Sequence, residues 1–276
     1  MTKKESIYIY DSLGDFVSWI RKTKQHAKGK KFNASENGSA RYAGTESMEQ
    51  ANSLLEHGDE TLARMILDQS IGIKAKSSSG YMKAHSIVNH QQGFIPNVGA
   101  YLTGHPCNMI NIRQTFKPVS KVLTIVYNCG VGCDVPTNSM ISAASKVACA
   151  ISTLEAKGYR VNVYIASRSR ICSRGKIKYP EASCIIKIKD AGKPLDPLRI
   201  AYPLANPSML RRHIFAFLER AQYSLVATYG RTYAFDQRTI DGLIGKSVIL
   251  SASEIIEHSN SMDSIVKSIE EQSQRL

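Results

Sequence analysis

The residues best suited to chemistry lie in VYNCGVGCD, residues 126–134. A glycine-rich loop between an apolar strand and a helix is where α/β proteins hold phosphates and metals. Cys129 and Cys133, with His105 and Cys107 of GHPC, would supply one imidazole and three thiolates, a tetrahedral zinc set. The spacing is Cys-x3-Cys rather than the Cys-x2-Cys of zinc knuckles, and sequence alone leaves open whether the two loops meet. The deaminase pattern is absent, because Cys107 stands where His-x-Glu needs its glutamate. As a phosphate cradle, GVG departs from Gly-x-Gly-x-x-Gly, and the next strand ends in bases rather than an acid. GLIGKS lacks the first glycine of a P-loop, since that position holds Ile240. No Gly-x-Ser-x-Gly elbow is present. His85 and His90 miss the i, i+4 spacing of a helical metal pair, and His213, after two arginines, reads as part of a basic face. These patterns predict a protein that is not an enzyme and has no resident metal or cofactor.

Positive charge is the stronger signal. The chain of 276 residues carries a net charge of +13, unevenly placed. Residues 21–41 hold seven Lys/Arg against one acid, and residues 158–220 hold thirteen against four. The last 25 residues reverse the sign, with five acids and two bases. Clustered positive charge with interleaved aromatics is the footprint of a nucleic-acid binder. ASRSRICSRGKIKYP places Arg168, Arg170, Arg174, Lys176 and Lys178 in a loop after a strand. IKIK, read with period two, sets Lys187 and Lys189 on one strand face. Arg211 and Arg212 sit near a helix start, where the dipole disfavours them. Tyr229, Arg231 and Tyr233 of TYGRTYAF suit base stacking and phosphate contact.

These residues need elements to position them. SIYIY reads as a strand, followed by a short helix around Phe16–Ile20. RKTKQHAKGKKFNASENGSAR has no apolar periodicity and reads as a loop or mobile arm. Ser47 with Gln50 forms a capping box for a helix that stops at Gly58, and a second helix is expected over 59–71. Residues 76–119 are weakly patterned. Strand 121–127, helix 138–157 and strand YRVNVYIAS form a βαβ unit. ASCIIKIKD, PLRIAYPL and SVIL read as further strands, with a helix from Asn206–Pro207 to about Gln222. A final helix starts at the Ser251/Glu254 box. The fold class is therefore α/β, a mainly parallel sheet flanked by helices. A mostly helical region with a basic arm is expected over 1–110, and the α/β domain with its C-terminal helix over 111–276. Apolar runs are too short for a membrane span, and MTKKESIYIYDSL lacks a signal core, so a cytoplasmic protein is expected.

Over roughly residues 120–250 this succession of apolar strand, loop, helix and KGYRVNVYIAS resembles a von Willebrand factor A-type domain. The resemblance implies a metal-adhesion loop of Asp-x-Ser-x-Ser, here occupied by Asn128, Gly130 and Gly132, so it implies a metal-free version. YAGTESMEQANSLLEHGD and PLANPSMLRRHIFAFLE also resemble uncharacterised proteins of tailed bacteriophages. The clustered positive charge points to non-catalytic nucleic-acid binding, and the phage resemblance implies an accessory protein made in the host cytoplasm. Its DNA would be single-stranded or sequence-tolerant, and a polymerase or replication factor would be its protein partner. The alternative is a protein-interaction module that docks through the metal-free A-like face.

Overall fold

Alternation in SIYIY sends Tyr8 and Tyr10 into one core and Ile7 toward a second, smaller one. This strand is β1 (Ser6–Tyr10) of a computed structural model that describes residues 6–25, 33–71, 81–118, 121–170, 172–173, 176–177, 182–221, 231–258 and 260–275. Five helices follow: α1 (Leu13–Lys22), α2 (Ala34–Asn37), α3 (Ala40–Ala43), α4 (Met48–His57) and α5 (Glu60–Ile71). Ser12 and Ser47 cap α1 and α4 by accepting the N–H groups of Asp15 and Gln50. Next come β2 (Tyr81–His90), β3 (Ile95–Pro96), α6 (Val98–Leu102) and β4 (Met109–Pro118), whose strands form a separate antiparallel sheet in the order β2-β4-β3.

The βαβ unit follows as β5 (Val122–Asn128), α7 (Thr137–Ala156) and β6 (Arg160–Arg170). A small hairpin, β7 (Cys172–Ser173) with β8 (Lys176–Ile177), leads to β9 (Ala182–Lys189) and α8 (Pro197–Ala205). A π-helical segment, Met209–Ile214, continues into α9 (Phe215–Ala221). The chain ends with β10 (Arg231–Thr232), α10 (Gln237–Ile244), β11 (Val248–Ser251), α11 (Ala252–Glu257) and α12 (Met262–Arg275). The main sheet has the order β1-β9-β6-β5-β11, with β10 paired to β6. The pairs β1–β9, β5–β6 and β5–β11 are parallel, while β9 and β10 run antiparallel to β6. The sheet is thus mixed and mostly parallel, flanked by helices.

Three expectations change. PLRIAYPL is helix α8, not a strand: Asp196 caps it, Pro197 starts it, and Ile200, Ala201 and Leu204 are buried. The C-terminal helix is broken into α11 and α12. The expected boundary at 110/111 falls inside β4, and β1 lies in the main sheet. Phe16, Ala51 and Ile66 share one core with Ile125, Val163, Phe217 and Ile269, so the N-terminal helices are built into the α/β body.

A polar network ties them there. Arg212, fully buried, donates through Nε to Thr45 Oγ1 at 2.7 Å and through its terminal nitrogens to the carbonyls of Ser35, Glu36, Gly38 and Thr45. Arg211, 2% exposed, donates to the carbonyls of Tyr42 and Val135 and stacks over the Tyr42 ring at 4.1 Å. Buried Glu219 accepts from Ser35 N, Ser35 Oγ and Gln25 Nε2. Arg211 and Arg212 are therefore structural, which corrects their assignment to a nucleic-acid face. Of the expected loop or arm, Arg21 and Lys22 end α1 and residues 33–41 are docked around α2 and the start of α3; residues 26–32 lie outside the described set. His213 is buried between Tyr202 Oη at 3.0 Å and Asn52 Oδ1 at 3.1 Å, not on a basic face.

Arg212→Ala is expected to lower the unfolding free energy by about 3–5 kcal/mol in urea titrations, because several buried carbonyls lose their donors at once. Arg212→Lys should recover little, since one ammonium cannot span those acceptors. A second expectation concerns acid. Burial pushes His213 down to about 4, whereas the unfolded ring titrates near its ordinary 6.5. Between those values the unfolded chain binds a proton that the folded chain does not. Stability should therefore fall as pH drops from about 6.5 to about 4, by a total on the order of 3 kcal/mol. Urea titrations across that window should give a flatter dependence for His213→Gln.

Candidate functional site

The two faces of the main sheet differ. One carries the large core beneath α1, α7, α8, α9 and α12. On the other, among the described residues, Phe235 and Ile240 cover Val126, Ala166 and Ile185. Beyond that cover Tyr164 and Lys187 are half-buried, and Ile9 and Val122 are exposed. Register explains which lysine faces which way. Tyr164 pairs with Lys187, but Val163 pairs with Lys189, so a bulge interrupts the alternation of β9. Lys187 faces the open side, 5.9 Å from the Tyr164 ring centroid and 2.7 Å from Asp190 Oδ2. The bond that Lys187 donates to Asp190 raises Lys187 above its usual range and holds the Asp190 carboxyl below its own. Lys189 turns inward, 7% exposed, to Glu155 and to the carbonyls of Val161, Asp190 and Lys193. The expectation that both lysines share one face is corrected, and Lys189 leaves the candidate set.

The far end of β6 gathers positive charge. Backbone register sets Arg170 directly opposite Arg231 of β10, next to the Ser169–Thr232 pair. Arg168 lies two residues earlier, half-buried, donating from Nη1 to Ala234 O at 3.1 Å. Tyr233, half-buried, donates its N–H to Arg168 O. Lys176 pairs with Ser173 in the hairpin that follows β6. For Arg170, Lys176 and Arg231 the backbone alone is described, and Arg174, Lys178 and Tyr229 lie outside the described residues. Tyr164 was absent from the sequence-based set. Its signal was available, because alternation through VNVYIASR puts Asn162, Tyr164, Ala166 and Arg168 on one face.

The cysteine-glycine loop is plugged. Asn128, 3% exposed, donates from Nδ2 to Tyr233 O and accepts from Gly130 N. Cys129 N–H and Sγ both point at Ala166 O. Burial pushes the Cys129 thiol up to about 12, away from the thiolate a metal needs. A Cβ on Gly130 would come within 2.7 Å of Thr232 Cγ2, so glycine here permits β10 to close over the loop. The N–H groups a phosphate cradle would need at Cys129 and Gly130 are thus turned inward. Cys133 is exposed while Cys129 is buried, and among the described residues no three His, Cys, Asp or Glu side chains gather to hold a metal. GLIGKS is the end of α10, where Gly245 adopts φ 84° and Ser247 Oγ meets Asp241, so it is no strand-to-helix phosphate loop. No helix among the described residues is long and apolar enough to cross a membrane.

Among the described residues, fold and site define a mixed α/β protein with a partly open sheet face, a closed loop after β5 and Arg170 set opposite Arg231 at the end of β6. The chain belongs to the family described as Domain of unknown function (DUF7192), whose profile matches residues 1–274. A search of curated proteins returns no match, and neither does a search of solved structures. Elemental analysis of the purified protein is expected to find no stoichiometric zinc. About one zinc per chain, lost on Cys129→Ser with Cys133→Ser, would contradict the inward-turned loop.

Proposed function

We propose that the protein binds nucleic acid without catalysis, at the end of the sheet formed by β6, β10 and the β7–β8 hairpin. The observation that carries this reading is the register of Arg170 against Arg231, with Arg168 beside them. Like charges directly opposite on paired strands destabilise a sheet, and a phosphate placed between them reverses the sign of that term. The working set is Arg168, Arg170, Arg174, Lys176, Lys178 and Arg231, with Tyr229 and Tyr233 as stacking groups. Lys187 and Tyr164 extend it along the open face. Phosphate contact plus stacking fits a single-stranded or sequence-tolerant ligand. The finer reading is a metal-free A-like domain in a phage accessory factor that recruits transcription or replication machinery in the host cytoplasm. The inward-turned loop after β5 is in keeping with an A-like face that holds no ion.

Fluorescence anisotropy with single- and double-stranded oligonucleotides at two salt concentrations tests this. Arg170→Ala, Arg174→Ala and Lys176→Ala combined should weaken binding and flatten the log–log salt slope by about two units. Tyr233→Ala should lose about 1–3 kcal/mol with the slope kept. Wild-type binding by the folded triple variant at every salt concentration would refute the assignment of this sheet end.

A further inference from the structure

Residues 69–133 contain no Asp or Glu, and residues 84–112 contain no Lys or Arg either. At the chain average of 21% charged, those 29 residues would hold about six charges. The uncharged stretch is the far part of the β2–β4 sheet, with β3 and α6. It exposes Phe94 (56%), Ile95 (50%), Val98 (62%), Tyr101 (68%) and Leu102 (78%), five of the eleven large apolar residues exposed among those described. No described side chain between 88 and 111 is buried. The strands of this sheet pack extensively only on one another among the described elements. A sheet of two ten-residue strands and one two-residue strand, with no buried side chain among those described, is marginal by itself. A concentration of bulky apolar groups of this kind marks an interaction surface.

Charge selects the occupant. A polyanion or an anionic lipid surface is met by lysine and arginine at the contact, and residues 84–112 supply none. A net charge of +13 makes two copies repel wherever their charged surfaces meet, and this tip is the uncharged exception. A two-fold contact needs one surface complementary to itself. Apolar side chains meet that need, as do the exposed amides of Asn89, Gln91 and Gln92, which both donate and accept. The outer edge of β2 carries no strand among the described residues and can pair with its own copy.

We propose that two copies of this chain associate through the tips of their β2–β4 sheets, with Phe94, Ile95, Val98, Tyr101 and Leu102 at the apolar centre. This is independent of nucleic-acid binding and is measured without it. Analytical ultracentrifugation of the full chain from about 1 to 100 µM should reveal a monomer–dimer equilibrium. Tyr101→Ser with Leu102→Ser should raise the dissociation constant roughly tenfold or more, with the far-UV circular dichroism unchanged. Should that pair disturb folding, Phe94→Ser and Val98→Ser carry the same measurement. A wild type that stays monomeric throughout overturns the proposal, and so does a dimer indifferent to these variants. A monomer that floats with neutral phosphatidylcholine vesicles, and loses that binding on Tyr101→Ser with Leu102→Ser, overturns it too and assigns the tip to lipid.

Discussion

One buried guanidinium pins residues 35–45 against the α/β body. Among the described residues Arg212 bonds no carboxylate; the hydroxyl of Thr45 and the carbonyl dipoles of residues 35–45 receive its N–H groups. A planar fork with five N–H donors can satisfy a curved strip of backbone that has no strand or long helix to pair with. The π-helical turn makes this possible, since it widens the helix just where Arg211, Arg212 and His213 leave it in different directions. Arg211 reaches Tyr42 and Val135, His213 reaches Asn52 and Tyr202, and Glu219 one stretch later receives Ser35. The seam between the N-terminal helices and the sheet is therefore polar in part, with its groups mutually satisfied.

This seam redistributes the charge that composition records. Lys189, Arg211 and Arg212 are interior and contribute no contact to a solvent-borne partner. What remains of the basic constellation is narrower and lies at the end of β6, where strand register, not sequence proximity, brings residues 170 and 231 together. A lysine count cannot make that distinction. The bulge in β9 can, because one extra residue sends Lys187 to the open face and Lys189 to Glu155.

Sequence made the elements legible wherever apolar periodicity or capping chemistry was strong: β1, α4, β5, α7, β6, β9 and β11 lie close to where patterning places them. It failed where polar groups do the packing. Residues 33–43 have no hydrophobic period because Arg212 and Glu219 hold them through backbone carbonyls, an N–H and a serine hydroxyl, and such bonds leave no repeating pattern. PLRIAYPL misled because its apolar run suits a buried strand or a buried helix equally. The deciding signals were Asp196 and Pro197, a cap and a first-turn proline. At the candidate site the charge of Arg168–Lys178 was visible, although Arg168 and Arg170 lie in β6 and not in a loop, and Tyr164 was legible only through its alternation with Arg168.

The short strand β10 joins the closed loop after β5 to the arginines at the end of β6. In α/β folds the loop after a central parallel strand is the usual ligand position. Here Thr232 lies against Gly130 and the Tyr233 carbonyl takes the Asn128 amide, so β10 occupies that position itself. The same two-residue pairing carries Arg231 to Arg170 at the end of β6. Closing the inner position and charging the outer one are consequences of a single register. Sliding β10 by one residue would move Thr232 off Gly130 and part the two arginines together. The end of β6 is therefore coupled to the closed loop through β10, by backbone pairing on one side and by the Asn128 amide and the Thr232 side chain on the other.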